Sequence, residues 1–452
     1  MLYVGVDSTV DGTTDVQMSM AQVERMAQDL GRAAAADERS LGTLLPDLLT
    51  GNGGQLWQFG RGLAQEVKDP RTMWNKLVAQ LGLTDKDMQN VQVLRGFLNA
   101  LNEREADLAG RLLGEAVEDD VLGRWYPVLQ TAVGINKDGV GRLVRSLQVR
   151  KAGVGIYRSL ILGGVTHAIS GSDFSALLMG IASLPEGLDV AMELLYMRIS
   201  YARSQSSSTE LSDIGCELMR RLAFTRRRPG EDYRLGVIAE ECLVGEKGQA
   251  AVREISRNLK VAMATSQTYA SYHGELLEIL FRVQPRAVLE ALCGGEQTEL
   301  ESGVRILDEA SQLGRHPLDK ISDDDLIAWC DEAPAIRYPA IAGAVTPFLL
   351  SGAPGRVQWR DIARKLLDRA PNRAAVLKLF IRKFTPGNWR GSRAAIIESN
   401  MMLLEELKME SDPALLDLIA AEKTRLGEEV SAARQTESIM DRMERERDER
   451  FE

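Results

Sequence analysis

Apolar residues in the N-terminal half of the chain recur at helical rather than strand spacing. Turn-forming residues at Asp69-Pro70, Asn102, Asn136 and Ser170 open segments that start 33, 34 and 34 residues apart. Four and eight residues beyond each start stand Met73 and Leu77, Ala106 and Gly110, Val140 and Val144, and Phe174 and Leu178. That spacing lines one face of a helix. An Asp, Asn or Ser in front of it supplies an oxygen for the unpaired amides of the first turn. Second helical segments fall between the starts, at 90–101, 121–133 and 155–167. A helix pair about every 34 residues predicts an all-α chain built as an α-solenoid.

The Trp, Leu-Gly, Tyr, Ala, Phe and Pro pattern of a tetratricopeptide does not fall at these positions, so helix pairs of the HEAT or armadillo kind are expected, with an irregular all-α globule as the alternative. Beyond residue 200 the periodicity loosens. Ser204–Thr209 is polar and Ser-rich, and Thr225-Arg226-Arg227-Arg228-Pro229-Gly230 is a second break. Helical patterns resume at 248–265, 271–282, 285–292, 336–350, 359–368 and 373–384, with Pro285 suited to a first helical turn. Ser322 is a cap for the helix behind it, with Asp325 placed to reach back. Asp412-Pro413 opens a last helix whose seam of Leu415, Ile419, Leu426, Val430, Ala433 and Met440 is thin, so its charged end is expected to be solvated and frayed. The expected division is an irregular segment 1–20, helix-pair repeats 21–203, a polar and basic connector 204–230, a second helical-repeat block 231–410 and a charged helix 411–452. The opening residues lack a polar-faced capping helix, which suggests that an upstream part belongs to a longer protein or another chain.

Composition narrows the function classes. The 452 residues carry 65 acidic and 55 basic side chains, a net charge of −10, which argues against a general nucleic-acid coat or a polybasic membrane binder. Hydrophobic content of 44% with 27% charged excludes global disorder. No signal-peptide pattern opens the chain. The most apolar stretch, 159–184, is broken by His167, Asp173 and several Gly, and reads as buried core. Cys216, Cys242, Cys293 and Cys330 have neither zinc nor redox spacing, and scattered thiols fit a cytoplasmic protein.

Candidate chemistry is sparse. No Gly-Lys dipeptide occurs, so a P-loop is excluded, and Gly51–Gly54 and Gly139–Gly141 read as turns. His167, His273 and His316 stand apart from one another and from the cysteines, and Asp323–Asp325 is sufficiently explained as acid at a helix N-terminus. No catalytic residue, cofactor or metal site is expected. The strongest local charge is basic: Arg220, Arg221, Arg226, Arg227 and Arg228, with no acid between Met219 and Gly230. It fits intramolecular pairing or solvation first, and phosphate or protein contact next. Leu56-Trp57-Gln58-Phe59 and Trp125-Tyr126 read as core. Trp389, in a loop flanked by Arg390, reads as a plug between helices ahead of an interface anchor.

Leu56-Trp57-Gln58-Phe59-Gly60-Arg61-Gly62-Leu63-Ala64 with Asn90-Val91-Gln92-Val93-Leu94-Arg95-Gly96-Phe97-Leu98 resembles the helical-repeat part of large bacterial multidomain proteins, and 384–392 followed by Asp412-Pro413 is similar to their C-termini. Among these are the STAND-type NTPases, several of which act in defence against phage. In that family an effector and an NTPase domain precede a solenoid that senses a foreign protein. The resemblance implies the sensing part or a stand-alone relative, since no NTPase motif is present. The expectation is a non-catalytic protein–protein interaction scaffold or sensor. A nucleic-acid-binding solenoid using the Arg220–Arg228 cluster, or an enzyme with a site not recognisable from sequence, stays open beside it.

Overall fold

The computed structural model describes residues 16–203, 211–225, 230–311, 316–350, 357–407 and 412–448. These are almost wholly helical, and the chain divides into two units, Met1–Leu218 and Met219–Glu452. The first contains α1 (Val16–Ala36), α2 (Glu38–Thr50), α3 (Leu56–Glu66), α4 (Pro70–Leu83), α5 (Gln92–Arg104), α6 (Ala106–Ala116), α7 (Tyr126–Gln130), α8 (Lys137–Val149), α9 (Gly171–Ala182) and α10 (Gly187–Arg203). Helix α11 (Ser212–Arg220) forms inside the stretch read as a connector, where Ile214, Cys216 and Leu218 are buried. Helix α1 begins within the segment 1–20 read as irregular; residues 1–15 lie outside the described residues.

Three of the four expected helix starts carry a working cap. The Asp69 carboxylate accepts the Thr72 amide at 3.1 Å, Asn136 that of Gly139 at 2.9 Å, and Ser170 that of Asp173 at 3.2 Å. The fourth start is displaced. Asn102 lies inside α5, because the buried run Val93, Leu94, Phe97, Leu98 and Leu101 carries that helix on to Arg104. Helix α6 then starts behind Glu105 with no side-chain cap.

In the first unit α1 lies on α3, α3 on α5, α5 on α7 and α2 on α4, while α5 also packs on α6, α8 on α9 and α9 on α10. The second unit contains α12 (Glu231–Cys242), α13 (Gly245–Ala264), α14 (Gly274–Val283), α15 (Pro285–Cys293), α16 (Gln297–Ala310), α17 (Asp323–Asp331), α18 (Pro334–Ala344), α19 (Asp361–Arg369), α20 (Arg373–Arg382), α21 (Arg393–Met401) and α22 (Pro413–Asp448). There α12 packs on α14, α13 on α15 on α17 on α19, and α16 on α18 on α20 on α22. Ion pairs between residues 27 to 46 apart follow the same steps, among them Arg145–Glu118, Arg71–Glu115, Arg253–Glu290 and Arg286–Glu332. Exposed pairs are worth about 0–1 kcal/mol each, so it is their spacing that carries information.

Two expectations in this unit are corrected. The helix read over 336–350 stops at Ala344, since Pro347 cannot donate and pushes the residue before it out of helical geometry. Phe348–Leu350 instead form a short antiparallel pair with Val357–Trp359, so Trp359 sits in a strand, its indole donating to the Leu403 carbonyl at 3.0 Å. The seam of α22 ends earlier than expected: Leu415, Ile419, Leu426, Val430 and Ala433 are buried, whereas Met440 is 63% exposed. Ser322 does cap α17, but its hydroxyl donates to the Asp325 carboxylate at 2.6 Å. Among the described residues no helix is long and apolar enough to cross a membrane.

Candidate binding face

Helix α3 is held between α1 and α5 by glycine. Gly60 and Gly62 stand two residues apart, about 200° round the helix, and so face opposite neighbours. A Cβ on Gly60 would sit 3.0 Å from the Phe97 nitrogen of α5, and one on Gly62 would sit 2.8 Å from the Gln28 carbonyl carbon of α1. The contacts are returned. A Cβ on Gly96 would be 2.8 Å from the Trp57 carbonyl carbon, and one on Gly31 3.0 Å from the Leu63 nitrogen. All four neighbours are backbone, which cannot rotate aside. The three helices therefore touch main chain to main chain, and their outer ridges merge into one surface.

The inner side of this layer is apolar, with Leu56, Phe59, Leu63, Leu94 and Phe97 almost fully buried. The outer side is a half-buried ladder of amides and guanidinium groups. Gln28 donates to Gln58 at 2.6 Å, and Arg32 to Gln65 at 2.7 Å. Arg61 bonds Asn99 and pairs with Glu103 at 3.0 Å, and Asn99 donates to the Ala132 carbonyl at 2.9 Å. Arg95 lies over the Trp57 ring at 5.1 Å and donates to Gln92 at 3.0 Å and to Thr131 at 3.2 Å. All three of these partners are neutral, and the Arg95 Nε is buried without an acceptor. Burial holds its pKa below the usual arginine range. Arg32 and Arg61, by contrast, each have a carboxylate, Asp29 and Glu103.

The residues singled out from the sequence are elsewhere. Arg220 ends α11 with its Nε 3.6 Å from the Glu254 carboxylate, and Arg221 is exposed. Arg226, Arg227 and Arg228 lie outside the described residues. Trp389 is 48% exposed, with the Arg393 guanidinium 5.1 Å from its ring, so it does not fill a gap between helices. His273 and His316 are buried and His167 stacks on Tyr201 at 3.4 Å; no two histidines meet. All four cysteines are buried thiols, and burial pushes Cys293 and Cys330 up to about 12. Among the described residues no group of three or more His, Cys, Asp or Glu could hold a metal ion.

The sequence alone does not show the ladder, because Trp57 reads with Leu56 and Phe59 as core. A signal was present: Gln28/Arg32, Gln58/Arg61 and Gln92/Arg95 recur 29 to 34 residues apart, each beside Gly31, Gly60 or Gly96. No protein-family model, curated protein or solved structure matches the chain.

Proposed function

We propose that the chain is a non-catalytic protein-interaction scaffold or sensor, each unit an α-solenoid of helix pairs, with the outer face of α1, α3 and α5 as a docking surface. The observation that carries this reading is the glycine-closed layer. It sets a Trp, three Arg and a row of amides on one continuous surface, the residue types that anchor interfaces. Next-but-one helix packing over α1–α3–α5–α7 and through the second unit supports the repeat architecture. A specific contact would bury about 1,600 Å² in total. The resemblance to STAND-type solenoids supports reading such a scaffold as the part of an anti-phage system that senses a foreign protein.

The test is capture on the purified chain from bacterial lysate, with and without phage challenge and after nuclease treatment. A stoichiometric protein held by the wild type and by Arg226→Ala/Arg227→Ala/Arg228→Ala, and lost from Gln58→Ala/Arg61→Ala, supports the reading. Recovery of nucleic acid alone, lost in the triple arginine variant, would overturn it.

A further inference from the structure

We infer that the occupant of the α1–α3–α5 face is an extended, acidic segment of the partner, seated with a carboxylate on Arg95. This rests on the docking-face reading above and adds the chemistry of the ligand. Two observations carry it. The first is charge: Arg95 is half-buried, held over Trp57, and bonded only to neutral groups, so its positive charge has no counter-ion in the described structure. A partly desolvated guanidinium of this kind favours a carboxylate through paired, charge-assisted hydrogen bonds. The second is the sign of the unspent hydrogen bonds. Gln58 and Gln92 use their carbonyl oxygens on Gln28 and Arg95, which leaves their NH₂ groups turned to solvent on the outer side, while the Arg95 Nε is enclosed and the charge of its guanidinium is what a ligand meets. The two outward amides match the carbonyl oxygens of an extended backbone, and the Arg95 charge matches a carboxylate it carries. The chain as a whole is acidic at −10, so attraction of an anion has to be local.

The experiment is fluorescence anisotropy of labelled octaglutamate and octalysine against the full chain, from low to high salt. Octaglutamate is expected to bind, with salt-sensitive affinity, and octalysine not to bind. Arg95→Gln keeps a donor toward Thr131 and should weaken octaglutamate at least tenfold at unchanged melting temperature. Arg111→Gln, an exposed arginine on α6, removes the same charge and should leave binding intact. Octaglutamate binding no tighter than octalysine, or equal loss in the two variants, overturns the inference. A partner captured as above that still binds Arg95→Gln, with loss only in Gln58→Ala/Arg61→Ala, would overturn it too while leaving the scaffold reading in place. Capture untouched by either change would remove both.

Discussion

Alanine at Gly60 tests whether main-chain contact builds the layer. In an exposed helix, Gly→Ala gains about 1 kcal/mol of propensity. At Gly60 the new methyl would meet the Val93 carbonyl group and the Phe97 nitrogen, the latter at 3.0 Å. Both are backbone, so α3 and α5 must move apart by about 1 Å, and overpacking of this kind costs about 3 kcal/mol or more when nothing can rotate away. The net expectation is a loss of about 2 kcal/mol. In a unit of this size that lowers the melting temperature by roughly 4–8 °C. Gly110 and Gly114 of α6 are the internal control, since a Cβ on either meets nothing within 4 Å. Gly110→Ala should raise the melting temperature by about 2–4 °C. The assay is thermal unfolding followed by circular dichroism. Gly60→Ala together with Gly96→Ala should cost less than the sum of the two, because one separation of the helices accommodates both methyls. A Gly60→Ala variant as stable as wild type would refute the close approach.

Three further outcomes follow from other parts of the fold. Asp69→Ala removes the cap of α4 and should cost about 1 kcal/mol, read as a shift in urea midpoint; no shift would show that the cap is replaced by solvent. Val430→Asp places a charge in the buried part of the α22 seam and should cost more than about 2 kcal/mol, whereas Met440→Asp, beyond its end, should change stability by less than about 0.5 kcal/mol. The third concerns Asp232 of α12, which accepts the Glu275 and Leu276 amides at the start of α14 at 2.8 and 3.1 Å, beside His273. Burial, aided by Glu275 and Glu231, raises the Asp232 pKa from 3.8 to about 6, so its contribution to stability is present below 3.8 and is lost as pH rises through 6. Burial lowers the His273 pKa from 6.5 to about 4, so its contribution is present above 6.5 and is lost as pH falls toward 4. The two slopes oppose one another over one window. Asp232→Asn should therefore leave stability falling toward acid, and His273→Gln should leave it rising, each by up to about 1.4 kcal/mol per pH unit. Urea midpoints of both variants across that window with parallel slopes would contradict this assignment.

The all-α class was legible because apolar spacing and capping residues are local signals. Asp69, Asn136 and Ser170 could be read as caps from their own neighbourhoods, and each does cap. Asn102 could not, since whether α5 ends there depends on Leu101 finding core on another helix. The β-pair at 348–350 hides for a similar reason: Phe348 reads as one more apolar helix position until Pro347 and its partner Trp359 are taken together. The binding face was harder still. Its glycines look like ordinary turn formers, and only their contacts show that Gly60 and Gly62 serve two different neighbours. Arg95 does not stand out in the sequence beside the denser Arg220–Arg228 cluster, because a missing counter-ion shows only in three dimensions.

Photo-crosslinking from the face is the most direct test of the docking claim. A photoreactive residue in place of Gln58, on the outer side of α3, is compared in cells with one in place of Arg111 on α6. The account predicts one discrete protein adduct from position 58, resistant to nuclease, and none from position 111. Equal adducts from both positions, or none from position 58 while a partner is still captured, would contradict it.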